Sequence, residues 1–183
     1  MDWLRLPERQ IEIAVAPVSR ADYAGFVQET RNPIPPRTGA ATSAVTWVSA
    51  EEACAFAAWL SKCDVYRYRL PTLDDMLALA AVVREGGSVG TKPVNLRPTV
   101  AEDGPSPPSE WLQCVPDCGD GRLGLHCVAN VSWLCRAGRA STRGALSEGR
   151  YSFVTFRLVR TSDDKESGKC LTLGQVGIQF NAS

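Results

Sequence analysis

Apolar positions change their spacing along this chain, and the changes mark out its elements. Residues 11–15, Ile-Glu-Ile-Ala-Val, alternate apolar and other side chains, the period of a half-buried strand, and Pro17 ends the run. From Ser19 the spacing lengthens. Tyr23, Phe26 and Val27 recur at helical intervals behind a capping hydroxyl with Asp22 three positions on, which predicts a short amphipathic helix to about Thr30, closed by the proline-rich stretch 33–36. Ser49 with Glu52 repeats that cap ahead of an Ala53, Phe56, Ala57, Leu60 stripe, flanked by Cys54 and Cys63. After an alternating segment at 66–70, Thr72 with Asp75 opens a third helix that carries Met76, Leu77, Ala80 and Ala81 to about Arg84.

The second half reads differently. Residues 85–109 are rich in Gly, Pro and polar side chains without a steady period, so irregular surface structure is predicted there. Short strands are predicted at 125–128, around 132–134 and over 153–160, where Val154, Phe156 and Leu158 share one face. A polar break at 162–169 precedes a last alternating stretch at 171–180. Helices first and strands afterwards, joined by short turns, predict an α+β domain of short helices and mostly antiparallel strands.

Composition narrows the function classes without naming one. The 183 residues are 44% hydrophobic and 22% charged, ordinary values for a globular domain, and 20 basic residues balance 20 acidic ones. A net charge of zero gives no global field for nucleic acid, and the longest apolar runs, 8 residues at 53–60 and 76–83, fall short of the ~18 a membrane span needs. The first residues lack a signal-peptide pattern, so the cytoplasm is the expected compartment. Seven cysteines (54, 63, 114, 118, 127, 135 and 170) then read mostly as free, buried thiols, and the one histidine, His126, limits metal and acid–base chemistry.

Several segments, in order, resemble one family. Ala16-Pro17-Val18-Ser19-Arg20 through Phe26-Val27, Val45-Thr46-Trp47-Val48-Ser49 through Trp59-Leu60, Tyr68-Arg69-Leu70-Pro71-Thr72, Glu110-Trp111, Ser132-Trp133 and Phe156-Arg157-Leu158-Val159 are similar to motifs of the formylglycine-generating-enzyme (sulfatase-modifying factor) superfamily. The resemblance implies a C-type lectin-like fold over residues 1–160, with 161–183 as a C-terminal extension. It also implies that Trp47, Trp59, Trp111 and Trp133 mostly pack in the core.

Departures from the family pattern bear on activity. Copper-dependent members use two thiolates five positions apart after the Ser-Trp segment; here Cys135 holds the first position and Ala140 the second. Iron-dependent relatives need three histidines, and one is present. The expectation is therefore a catalytically degenerate member without a cofactor, the alternative being a divergent copper oxidase that uses Cys135. Cys114, Cys118, Cys127 and Cys135 with His126 match structural zinc spacing only loosely, and Glu102, Asp103, Asp117 and Asp120 lack regular calcium-ligand spacing, which leaves calcium as a further alternative.

Residues 136–160 hold six arginines against Glu148 alone, a local charge of +5. Two readings stay open: a grip on an anionic partner, or internal ion pairs and solvated loop positions. The resemblance extends to lectin-fold variable proteins of diversity-generating retroelements, in which the segment corresponding to 134–155 forms an exposed, diversified ligand surface. The expected function is a binding module for a protein or peptide through Trp133, Leu134, Arg136, Arg139, Arg143 and Tyr151. A structural subunit that assembles through residues 161–183 is the third reading.

Overall fold

A computed structural model describes residues 1–36, 39–86, 109–113 and 148–162 in full, and the backbone alone of residues 88–89, 92–93, 125–130 and 142–146. The chain opens with β1 (Trp3–Leu6), a 3-10 turn at Pro7–Arg9 and β2 (Ile11–Ala14). Two helices follow, α1 (Arg20–Thr30) and α2 (Ala50–Cys63), then β3 (Tyr66–Arg69) and α3 (Leu73–Arg84). The remaining strands are β4 (Ser88–Val89), β5 (Lys92–Pro93), β6 (Ser109–Trp111), β7 (Leu125–Asn130), β8 (Thr142–Leu146), β9 (Val154–Thr155) and β10 (Val159–Ser162).

Each helix starts where a hydroxyl and a carboxylate three residues apart satisfy its first backbone donors. The hydroxyls of Ser19, Ser49 and Thr72 accept from the N–H of Asp22, Glu52 and Asp75 at 3.1, 3.1 and 3.2 Å, and each carboxylate reaches back to the capping residue. α1 stops at Arg31, which turns left-handed at φ 57° and donates its N–H to Val27.

Strands form two four-stranded sheets. The first has the order β1-β2-β10-β3 and is antiparallel throughout, so β10, late in the chain, is threaded between two early strands, Val159 lying opposite both Ile13 and Arg69. The second has the order β8-β7-β6-β9, with β6 and β9 parallel and the other pairs antiparallel; β4 and β5 pair separately. α1 and α2 cover a core of Tyr23, Phe26, Phe56, Trp111 and Phe156, where Phe26 and Phe56 meet edge to face at 5.6 Å. α3 seals a second core, setting Met76 and Leu79 against Ile11, Ile13, Leu112 and Val159.

Two expectations need correction. The single strand expected at 153–160 is two short strands in different sheets, β9 and β10, and residues 154–159 are buried without alternation. The reason lies in the linking residues, where Arg157 is fully buried. Its guanidinium donates from Nε and Nη2 to both carboxylate oxygens of Glu110 on β6, at 2.5 and 2.6 Å, and from Nη1 to the carbonyls of Ala14 and Val15 at 3.1 Å. A buried guanidinium needs those partners, and a continuous strand ladder would not supply them. The second concerns the seven cysteines, expected to be mostly free and buried: Cys54 and Cys63 are free but exposed on α2.

Asp75 is the other buried carboxylate with two cationic partners, Arg9 at 2.8 Å and Arg69 at 2.6 Å. Burial alone would push its carboxyl up, but the Arg69 hydrogen bond and the Thr72 cap outweigh it and hold the group below the ordinary carboxylate range.

Two outcomes follow. Arg157→Met strands the Glu110 charge and costs about 3–5 kcal/mol, read as a lower urea midpoint at unchanged m, and Glu110→Met added to it restores the larger part. Because Asp75 titrates lower folded than unfolded, its ion pairs stabilise fully above the unfolded value near pH 4 and fade as pH falls through the folded one. The stability gap between wild type and Asp75→Asn is therefore constant near neutrality and narrows below about pH 4.

Candidate ligand-binding surface

Where α2 begins, the chain is fixed from beneath. The indole N–H of Trp111, fully buried on β6, donates to the Val48 carbonyl at 2.9 Å, and Ser49 caps the helix. Immediately upstream, Trp47 adopts φ 60°, the left-handed region that a bulky side chain rarely enters, and its side chain stands 37% exposed. Its N–H donates to the Tyr151 carbonyl at 3.0 Å, stitching the segment before α2 to the segment before β9.

Three rings border this stitch. Tyr151, half-buried, lies 6.0 Å from the Trp111 ring and 5.5 Å from Phe153, which is 54% exposed. The Phe153 carbonyl accepts from the Ser109 N–H at 2.8 Å, so the backbone is held on both sides of this turn. Tyr151 folds back over Gly149 so closely that a β-carbon there would come within 2.5 Å of its hydroxyl oxygen. Glycine is needed at 149 for that close approach.

Beside the rings is a closed ion pair. Arg150 donates from Nε and Nη2 to Glu52 at 3.0 and 2.6 Å, and the same carboxylate caps α2 through the Ser49 N–H at 2.9 Å. Beneath it lies the hydroxyl of Tyr23, fully enclosed and without a hydrogen-bond partner among the described residues. Burial first, and the Glu52 charge second, push that phenol far above its ordinary value, so it stays neutral at physiological pH. These groups offer ring faces and a neutralised charge pair, a chemistry of stacking and burial.

Tyr151 is the expected site residue that falls on this surface. Arg143 is on β8, opposite Val128 of β7, which is itself opposite Trp111 of β6. Trp133, Leu134, Cys135, Arg136 and Arg139 lie outside the described residues, as do Ala140, Glu102, Asp103, Asp117, Asp120 and the segment 163–183. Of the arginine-rich run, the three side chains described are each engaged with a carboxylate: Arg150 with Glu52, Arg157 with Glu110, and Arg160 with Glu12 at 2.6 Å. Arg160 is also sandwiched between the Trp3 and Tyr66 rings at 4.4 and 4.2 Å.

Trp47 corrects the expectation of core packing, and Phe153 was missed. Phe153 lies just outside the run 154–159, which is buried throughout, so the alternation of the sequence did not mark it. Trp47 had no signal either, because nothing in its neighbours demands a left-handed backbone. Cys54 and Cys63 cannot share one copper ion with each other: nine positions apart on one helix, they point to opposite faces and are about 13 Å apart along its axis. Among the described residues, no group of three or more His, Cys, Asp or Glu could hold a metal ion.

No protein-family model matches the sequence, and no curated protein does. Solved structures do match. PvdO from Pseudomonas aeruginosa superposes with a TM-score of 0.53 at 15% identity, covering 82% of this chain and 80% of PvdO. CarF gives 0.52 at 18% identity, covering 84% and 87%. The fold is the α+β, C-type lectin-like fold of the formylglycine-generating-enzyme type. Treponema denticola variable protein 1 aligns at 0.49 and 14% identity, over 81% of this chain and 84% of its own. At these identities the likeness is one of fold, and the site must be argued from its own residues.

Strain at Trp47 gives a test of that kind. Compared with Trp47→Ala, so that the lost indole contacts cancel, Trp47→Gly relieves the left-handed penalty and is about 1 kcal/mol more stable in urea unfolding, whereas Trp47→Val, branched at Cβ, is less stable than Trp47→Ala.

Proposed function

We propose that this chain is a non-catalytic binding module that displays an arginine-rich C-terminal loop surface, residues 134–155, on the lectin-like scaffold. A protein or peptide is the partner. Arg136, Arg139, Arg143, Trp133 and Leu134 contribute to the surface beside Tyr151, and Trp47 and Phe153 extend it. The observation that carries this reading is the exposed, left-handed Trp47 bonded to Tyr151 with Phe153 alongside. A strained residue persists where the surroundings over-determine it, and exposed Trp and Tyr on a rigid backbone are the side chains that dominate binding energy at interfaces.

No helix among the described residues is long and apolar enough to cross a membrane. A cytoplasmic location suits two exposed free thiols, Cys54 and Cys63, which a reducing compartment leaves unpaired.

The test starts by cross-linking the wild-type protein to its cellular partner and identifying that partner by mass spectrometry. Its affinity is then measured against single variants. Trp47→Ala, Tyr151→Ala and Phe153→Ala each weaken binding tenfold or more, and Gly149→Ala, which displaces the Tyr151 ring without altering its chemistry, behaves like Tyr151→Ala. Val65→Ser, at a 74% exposed site elsewhere, stays within about twofold. Wild-type affinity in the aromatic variants overturns the reading. So does stoichiometric copper that is lost in Cys135→Ser together with oxidation of cysteine-containing peptides.

A further inference from the structure

The described residues also form a groove that Trp47, Tyr151 and Phe153 do not line. It encloses about 390 Å³ along the outer side of α1, walled on the far side by Ile34 and Pro35 and floored by Ala24, Val27 and Val45. That volume is within the range of small-molecule sites. Ile34, at its lip, is an apolar side chain left 75% exposed among the described residues.

Polar groups stand at the two ends. Arg20 lines one end and Gln28 the other, eight residues or about 12 Å apart along the helix. The Arg20 guanidinium donates from Nη1 to the Pro36 carbonyl at 2.6 Å, which ties the 32–36 segment over α1 and leaves its other donors without a partner among the described residues. The helix end itself offers an anion nothing. The N–H groups of Arg20, Ala21 and Asp22 are already taken by Ser43, Ala41 and Ser19 at 3.0, 2.9 and 3.1 Å. Positive charge at this mouth therefore comes from the Arg20 side chain.

The lining between the ends decides what fits. Tyr23 apart, it is Ala, Val, Ile, Pro and Gly, and prolines 33, 35 and 36 bring no backbone N–H. A peptide laid here would bury its own N–H and C=O groups against aliphatic side chains, at the cost of unmade hydrogen bonds. An alkyl chain has no such groups to satisfy. We infer that this groove binds a medium-chain carboxylate, its tail between α1 and Ile34 and its head group on the Arg20 guanidinium.

Isothermal titration of the purified full chain with octanoate, decanoate and decanol tests this. Decanoate binds up to about fifteenfold tighter than octanoate, two further methylenes at ~0.8 kcal/mol each, and about tenfold tighter than decanol. Arg20→Gln removes the preference for decanoate over decanol. Ala24→Trp, at an exposed helix position where the fold tolerates a larger side chain, fills the groove and abolishes binding. Decanoate binding that survives Ala24→Trp, or wild-type protein that binds neither carboxylate, overturns the proposal. A drop in oligomeric mass on Ala24→Trp in a protein that ignores decanoate assigns the groove to a second copy and overturns it equally. Neither result bears on the Trp47 surface, whose variants leave this groove intact.

Discussion

Arg157 stands where three parts of the chain meet. Its guanidinium touches the end of β2, through the Ala14 and Val15 carbonyls, and β6, through both oxygens of Glu110, while its own backbone links β9 to β10. Charge makes this junction specific. An apolar side chain would pack equally well in several neighbouring registers, whereas a bidentate ion pair excluded from water is satisfied in one geometry and costly in every other. This ion pair is thus one of the contacts that place the two sheets, beside the core that sets Leu112, just after β6, with Ile13 and Val159. The same contact lies between β9 and β10, where the carbonyls of Phe156 and Leu158 on either side of Arg157 accept from the N–H groups of Val18 and Ala14, both at 2.9 Å.

This explains why the helices were legible in the sequence and the strands only in part. A capping box is local: Ser19 with Asp22, Ser49 with Glu52 and Thr72 with Asp75 each complete their hydrogen bonds within four residues, so the pattern alone fixes the start of each helix. The split of residues 153–160 depends on Glu110, 47 positions away, and on Ala14, 143 positions away, and no window on the sequence contains both. β1 and β6 escaped for a related reason. Each is four residues or fewer, and each is a strand because a distant partner completes it, Ile13 opposite Leu4 and Ala129 opposite Glu110. The family motifs recovered the fold since they mark these junction residues, Glu110-Trp111 and Phe156-Arg157-Leu158 among them.

The surface was legible to a smaller degree. Tyr151 was found from its place in the chain, but Trp47 belongs to the surface through a left-handed backbone conformation, beside a Val48 carbonyl that the Trp111 indole holds from the core. For the arginine-rich run two readings were open, and the three side chains described follow the one of internal pairing, Arg150, Arg157 and Arg160 each engaging a carboxylate from an earlier element. Net charge over a segment counts residues, whereas a ligand meets only what the fold leaves unpaired.

Glu52 shows how scaffold and surface are coupled. One carboxylate both caps α2 and holds Arg150, so forming the helix positions the loop that follows β8. The loop's later backbone is then held by bonds that require no particular side chain: Trp47 N–H to the Tyr151 carbonyl, and Ser109 N–H to the Phe153 carbonyl. Main-chain anchoring leaves the neighbouring side chains free to change without loss of the frame, apart from Gly149, where a β-carbon would push the Tyr151 ring aside. An arrangement of this kind separates what must be kept for folding from what may differ for recognition. That separation is the property a lectin-like scaffold needs if specificity is to reside in its loops.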